Sequence, residues 1–291
     1  MKRIGIVTDS HSSIAPQQAA ILGVHVLPMP FTIDGQSYLE GVNLSREEFF
    51  AYQRAGAEIA TSQPAPGSVM ALWDELLEKY EQLLYLPISS GLSGSWQTAC
   101  ALAADEPYVG RVVVVDAGRV ATPLHQTVLD AISLVDAGYS ATECRRILEE
   151  GRSDMCIYIA VQTLDNLRRG GRISPAVATV GTLLNIKPIL QLSTGKLDAY
   201  KNTRGKIKAR ETMLEAIRSD LAIRFREAQS EGRVQLLAAG SASPEETARW
   251  IAQIEASFPG MPVLYDDLSL GVSCHTGEGA LGVGLSVRPR L

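Results

Sequence analysis

Val112-Val113-Val114-Val115-Asp116 is the stretch that decides the fold: four β-branched residues in a row, closed by a carboxylate. A strand apolar at every position, rather than at every second one, is expected where both faces of a sheet are covered, which is the habit of parallel sheets. Working outward, Arg3–Thr8 reads as a buried strand ending in Asp9-Ser10, Val24–Pro28 as a second strand and Leu83–Ile88 as another. Phe31–Leu39 has hairpin character around Asp34-Gly35. Helices fall between them. Pro16–Leu22 is one, and Val69, Met70, Trp73, Leu76, Leu77 and Tyr80 share one helical face. Trp96–Ala104, Leu124–Asp136 and Ala141–Glu150 follow, the last opened by a capping box, Ser140 with Glu143. Strand alternating with helix argues for a parallel sheet flanked by helices.

Near residue 151 the texture changes. Cys156–Val161 reads as a strand and Leu164–Arg169 as a short helix stopped by Gly170-Gly171. Ile186–Leu192 and Lys196–Tyr200 flank Ser193-Thr194-Gly195 as a hairpin, and Leu281–Val287 closes the chain as a strand. Ile207, Leu214, Ile217, Leu221 and Phe225 line one long helix, and Ser243-Pro244-Glu245-Glu246 starts another. The expected architecture is α/β in two domains. Residues 1–151 form a parallel α/β domain and residues 152–291 a second α/β domain with a mixed sheet.

Composition removes several function classes. At 291 residues, 46% hydrophobic and 20% charged, the chain has the make-up of an ordinary soluble globular protein. Its net charge of −5 gives no general drive toward nucleic acid or anionic membrane. No signal peptide is read at the start, and no apolar run approaches the roughly 20 residues of a membrane-spanning helix. Cys100, Cys144, Cys156 and Cys274 are scattered, which argues against zinc and against a disulfide framework. A cytoplasmic, metal-free protein is expected.

The chemistry gathers in turns. Ala60-Thr61-Ser62-Gln63-Pro64 and Ser89-Ser90-Gly91-Leu92-Ser93-Gly94-Ser95 each lead from an extended stretch into a helix. Such turns offer hydroxyls together with the unpaired N–H groups of a helix start, a combination that binds a carboxylate or phosphate without a lysine. Gly170-Gly171-Arg172-Ile173-Ser174 adds a guanidinium, and His275-Thr276-Gly277, a Gly-rich turn, an imidazole. Gly277-Glu278-Gly279-Ala280-Leu281-Gly282 matches a dinucleotide string, but a strand follows it where that motif needs a helix. Ser93 on a strand-to-helix turn, with Asp267 and His275 later in the chain, keeps a small-molecule serine hydrolase as the alternative function. The basic run Lys196, Lys201, Arg204, Lys206, Lys208 and Arg210, opposed only by Asp198, is a solvated face or a dock for an acidic partner. His11, His25 and His125 have no spacing that suggests a site.

Taken in order, these segments resemble the DegV family, bacterial fatty-acid-binding proteins that serve fatty acid kinase. The matching pieces are Thr8-Asp9-Ser10, Thr61-Ser62-Gln63-Pro64, Ser90–Ser95, Leu167–Ser174, Leu184-Asn185-Ile186-Lys187-Pro188-Ile189 and His275-Thr276-Gly277. The resemblance implies a three-layer α/β/α domain and a two-layer α/β domain, with a long-chain fatty acid such as palmitate held between them. It implies that Thr61, Ser62, Ser93, Gly94 and Ser95 hold the carboxylate, joined by His275. Arg172 and Arg204 belong to the rim or the partner-docking face. No cofactor beyond the bound acid, no catalytic residue, no nucleic acid and no integral membrane segment is implied. The partner is a separate fatty acid kinase catalytic subunit that makes acyl-phosphate. Three departures stand out: Ser95-Trp96 where the family reads Thr-Tyr, Glu278 where it reads Pro, and Ala117 with Thr122–His125 where it carries Ser and small glycines.

Overall fold

The computed structural model describes residues 2–173, 186–193 and 196–291. The chain divides into two compact units, Met1–Arg152 with Ser269–Gly271 and Pro289–Leu291, and Ser153–Leu268 with Val272–Arg288.

The first unit is built on a four-stranded parallel sheet of order β2-β1-β6-β7. Its strands are β1 (Lys2–Asp9), β2 (His25–Leu27), β6 (Tyr80–Leu86) and β7 (Val112–Val114). A separate antiparallel sheet joins β3 (Pro30–Ile33), β4 (Gln36–Leu39) and β5 (Ile59–Thr61). The helices are α1 (Pro16–Leu22), α2 (Arg46–Arg54), α3 (Pro66–Leu77), α4 (Ser95–Ala103), α5 (Thr122–Asp136) and α6 (Ala141–Glu150). The valine run splits as two-sided coverage requires. Val113 and Val115 join Ile4, Ile6, Leu84 and Leu86 against α1, α5 and α6. Val112 and Val114 join Val7, Leu83 and Tyr85 against α3 and α4. Alternation along each strand thus fills two cores, one per face. The Ser140–Glu143 capping box forms as read.

The sequence pattern carries the α3 face on to Tyr80, but the helix stops at Leu77 and Tyr80 starts β6 opposite Lys2. The parallel ladder with β1 takes that residue from the helical period. Helix α2, with a second capping box between Ser45 and Glu48, and strand β5 were not legible in the pattern.

The second unit carries a six-stranded mixed sheet of order β10-β9-β8-β13-β11-β12. Its strands are β8 (Met155–Ala160), β9 (Ile186–Ser193), β10 (Lys196–Arg204), β11 (Val234–Gly240), β12 (Val263–Asp267) and β13 (Leu281–Val287). Its helices are α7 (Asp165–Gly170), α8 (Gly205–Ile223), α9 (Arg226–Ser230), α10 (Pro244–Ser257) and α11 (Leu270–Thr276). Tyr158, Leu236, Ala238, Val283 and Leu285 bury one sheet face beneath Met213, Ile217, Trp250 and Ile254 of α8 and α10. The indole N–H of Trp250 donates to the Gly282 carbonyl at 3.0 Å, so even this core ring is satisfied. Pairing is antiparallel except β11 with β12, which fits an α/β fold with one parallel and one mixed sheet. Strands β11 and β12 escape the sequence reading. Ser174, Leu184-Asn185 and the Thr194-Gly195 tip of the hairpin lie outside the described residues.

Candidate functional site

Between β6 and α4 the chain runs through Pro87–Gly94, and its early residues are pinned by carboxylates and a carbonyl. The Ile88 N–H donates to Asp9 Oδ2 (2.8 Å), the Ser89 N–H to the Arg119 carbonyl (2.9 Å), and the Ser90 N–H to Asp116 Oδ1 (3.3 Å). The Ser90 hydroxyl donates to the other oxygen of Asp116. The turn then closes on itself, with the N–H groups of Leu92 and Ser93 donating to the Ser89 carbonyl at 3.0 and 3.2 Å. Its product is a hydroxyl pair, Ser93 Oγ and Ser95 Oγ 2.8 Å apart, with the Ser95 N–H donating to Ser93 Oγ at 3.2 Å. Ser93 is half-buried, Ser95 buried and Gly94 exposed.

The second hydroxyl turn meets the first. Thr61 ends β5 opposite Phe31, and the Ser62 N–H donates to the Pro30 carbonyl at 3.4 Å. Gln63 then reaches across, its Oε1 accepting from the Thr98 hydroxyl on α4 at 3.1 Å. A Cβ on Gly94 would lie 2.9 Å from that oxygen, so the glycine is what lets the two turns close up. Gln63 is a functional candidate that the sequence reading quoted inside a motif without giving it a task. Hydroxyls beside the start of a nine-residue helix can donate hydrogen bonds to an anion, with the helix dipole in favour.

Below the turn lie two acidic residues, Asp9 buried and Glu40 half-buried. Asp9 has its carboxyl pushed up to about 7 by burial, against the opposing pull of the Ile88 and His11 N–H donors. Glu40 is likewise raised by burial, although His11, the N–H groups of Leu270 and Gly271 and the Ser10 hydroxyl all favour its charge. His11 Nδ1 stands 3.6 Å from Asp9 Oδ1, and the ring packs where a side chain on Gly271 would be. His11, whose spacing suggested no site, is thus buried beside two acidic side chains. The nearest clue was the Asp9-x-His11 spacing at a strand end, while Glu40 is distant in sequence and had no signal. His125 is buried and pairs ring to amide with Gln18 (3.4 Å), while His25 is half-buried and pairs ring to hydroxyl with Tyr80 (3.0 Å).

In the second unit, Gly170 and His275 come together: any Cβ at Gly170 would fall on the His275 imidazole. His275 sits in the last turn of α11, not in a glycine-rich loop, and Gly277 follows it at a φ of 76°. The next turn is held by Ser241, whose hydroxyl donates to the Gly277 carbonyl (2.6 Å) and accepts from the Ala280 N–H (3.0 Å). Arg172 Nη1 donates to the Gly170 carbonyl, which keeps the guanidinium beside the same corner. Arg204 is exposed at the end of β10. The basic run is not opposed by Asp198 alone: Glu246 on α10 takes Lys206 at 3.0 Å and Arg210 at 2.8 Å, and Glu211 takes Lys208 at 3.2 Å. Asp267 accepts from the Tyr265 hydroxyl at 2.7 Å. All four cysteines are free thiols. Among the described residues no cluster of His, Cys, Asp and Glu could hold a metal ion, and no helix is long and apolar enough to cross a membrane.

A parallel α/β unit carrying two hydroxyl turns and a second unit with a mixed sheet place the chain in the α/β class. Residues 3–288 match the family model described as "Uncharacterised protein, DegV family". A DegV domain-containing protein of Deinococcus radiodurans is 38% identical over 285 residues, covering 97% of this chain and 98% of the relative. Among solved structures, a fatty-acid-binding DegV family protein from Thermus thermophilus superposes with a TM-score of 0.85 at 35% identity, covering 98% and 99% of the two chains. DegV of Bacillus subtilis, described as a fatty acid binding protein, gives 0.83 at 26% identity, covering 99% and 100%. This chain belongs to the DegV family.

Proposed function

We propose that this protein binds a long-chain fatty acid and presents its carboxylate to a separate fatty acid kinase subunit, in the cytoplasm, performing no bond-making step itself. The observation that carries the reading is the Ser93–Ser95 hydroxyl pair, joined through Gln63 to the Thr61-Ser62 turn. Thr61, Ser62, Ser93, Ser95 and the Gly94 backbone are proposed to hold the carboxylate. His275, with Arg172 and Arg204, is proposed to meet the kinase and the carboxyl group it acts on. Residues 1–151 are proposed as the anchoring domain and 152–291 as the domain completing the acyl pocket.

The energetics suit an acyl ligand. Some fifteen methylenes at about 0.8 kcal/mol each give on the order of 10 kcal/mol from burial. Each hydrogen bond to an ionised carboxylate adds about 1.5–3 kcal/mol. The tail sets affinity and the head sets register. The fatty-acid-binding relatives from Thermus thermophilus and Bacillus subtilis support the ligand class. Denaturing extraction of the purified protein, followed by mass spectrometry, is expected to release one C14–C18 fatty acid per chain. An empty extract, or a stoichiometric non-lipid molecule, overturns the reading.

A further inference from the structure

The shape of the hydroxyl turn is held from outside by charged groups. Asp116 lies just past the end of β7 with its side chain only 6% exposed. Its two oxygens are both occupied: Oδ1 accepts from the N–H groups of Ser90 (3.3 Å) and Gly118 (3.1 Å), and Oδ2 accepts from the Ser90 hydroxyl and pairs with Arg152 at 3.0 Å. Its own N–H donates to Glu149 Oε1 at 3.0 Å, and Arg145 holds that carboxylate from α6 at 3.1 Å. The adjoining Arg119 carbonyl accepts from the Ser89 N–H, and Arg119 itself is buried with Nη2 donating to the Gly151 carbonyl at 2.9 Å. The grip therefore reaches Ser89 and Ser90 together, and the Ser89 carbonyl is the acceptor for the Ser93 N–H.

We propose that Asp116 is a positioning residue for the acid-binding turn: by clamping Ser90 through both carboxylate oxygens, it fixes where the Ser93 and Ser95 hydroxyls stand. The proposal rests on the fatty-acid reading above and names a residue that reading does not use. Asp116 touches no ligand atom in this scheme and acts only through the turn. Electrostatics makes the idea separable from a charge effect. Removing a negative charge from beside an anion site, and freeing Arg152, should by Coulomb attraction alone tighten binding of the acid. Loss of position predicts the reverse.

The test uses the full-length protein, delipidated, with palmitate and the neutral analogue hexadecanol as probes. Wild type is expected to prefer palmitate by at least about tenfold, because only the ionised head draws charge-assisted hydrogen bonds from the turn. Asp116→Asn is expected to lose about tenfold in palmitate affinity while hexadecanol binding changes less than about twofold, so the preference collapses. Ser90→Ala keeps the acid and its bond to Arg152, and guards against a folding failure in the first variant; it is expected to lose part of the same preference. A merely structural role would weaken both probes alike, and that result, or a preference unchanged or increased in both variants, overturns the positioning role. If wild type itself binds the acid and the alcohol equally, the carboxylate anchor fails, and the positioning role falls with it.

Discussion

Two regions of this molecule are suited to meeting an acid, and they are built in opposite ways. At the β6–α4 turn the groups on offer are neutral hydroxyls and N–H groups, and the acidic side chains, Asp9 and Asp116, are buried behind as struts. At the β10–α8 edge the groups on offer are cations, Lys206 and Arg210, sharing the single carboxylate of Glu246 near the surface. Arg210 and Glu246 are half-buried and Lys206 is exposed; an exposed pair such as Lys206–Glu246 is screened and loosely held, so it attracts partners weakly. Neutral donors fixed in place cost little to desolvate and reward only a ligand of matching shape. If the proposed function holds, selectivity for one carboxylate falls to the first design and encounter with an acidic surface to the second.

The sharpest way to break this contrast is through the strut. Asp9 holds its proton more tightly in the folded chain than in the unfolded one. Its contribution to stability is therefore complete below its ordinary value of 3.8 and is lost as pH rises to about 7, a change on the order of 4 kcal/mol. His11 and Tyr85 face it, and Glu40, raised in the same direction, adds to the slope. Asp9→Asn forfeits an acceptor at every pH but removes the Asp9 share of the slope, leaving that of Glu40. Urea unfolding of both proteins between pH 4 and 8 is expected to show their stabilities converging as pH rises. Parallel curves would mean that Asp9 is not a buried acid under strain.

Next in size is the anchor itself. Thr61→Ala combined with Ser93→Ala is expected to cost about 2–3 kcal/mol of palmitate binding, near a hundredfold, with the melting temperature little changed. Calorimetry on the delipidated protein reads both quantities, and unchanged affinity removes the neutral-donor design. The smallest effect is expected at the cationic edge. Lys206→Ala should shift stability by less than about 0.5 kcal/mol and leave palmitate affinity untouched, since one surface ion pair contributes little. A tenfold fall in palmitate affinity for that variant would show that the two regions do not divide the work.

Much of this was legible along the chain. The valine run forecast a sheet covered on both sides because β-branched residues at successive positions must face two cores, and Val112 to Val115 alternate between them. Caps were legible because they are local: Ser140 with Glu143 and Ser243 with Glu246 each lie within one helical turn. Strand β11 was not, since Leu236-Leu237-Ala238-Ala239 carries no period that separates strand from helix. At the candidate site, the hydroxyls announced themselves through turn chemistry, whereas what holds them did not. Asp116 lies 26 residues from Ser90, and Glu40 takes donors from residue 270, so neither pairing leaves a trace in local pattern. The basic run read as nearly unopposed for the same reason, its partner Glu246 being on another helix.

The hydrogen bonds that Glu40 receives from the N–H groups of Leu270 and Gly271 also bear on how the protein is made. Those two residues belong to the first unit but are translated after most of the second. During synthesis, every strand of the parallel sheet leaves the ribosome while this half-buried carboxylate still lacks two of its donors. The first unit, although mostly N-terminal, therefore reaches its finished form only after Leu270 and Gly271 have been made, and a fragment ending at Arg152 would remain permanently at that earlier stage.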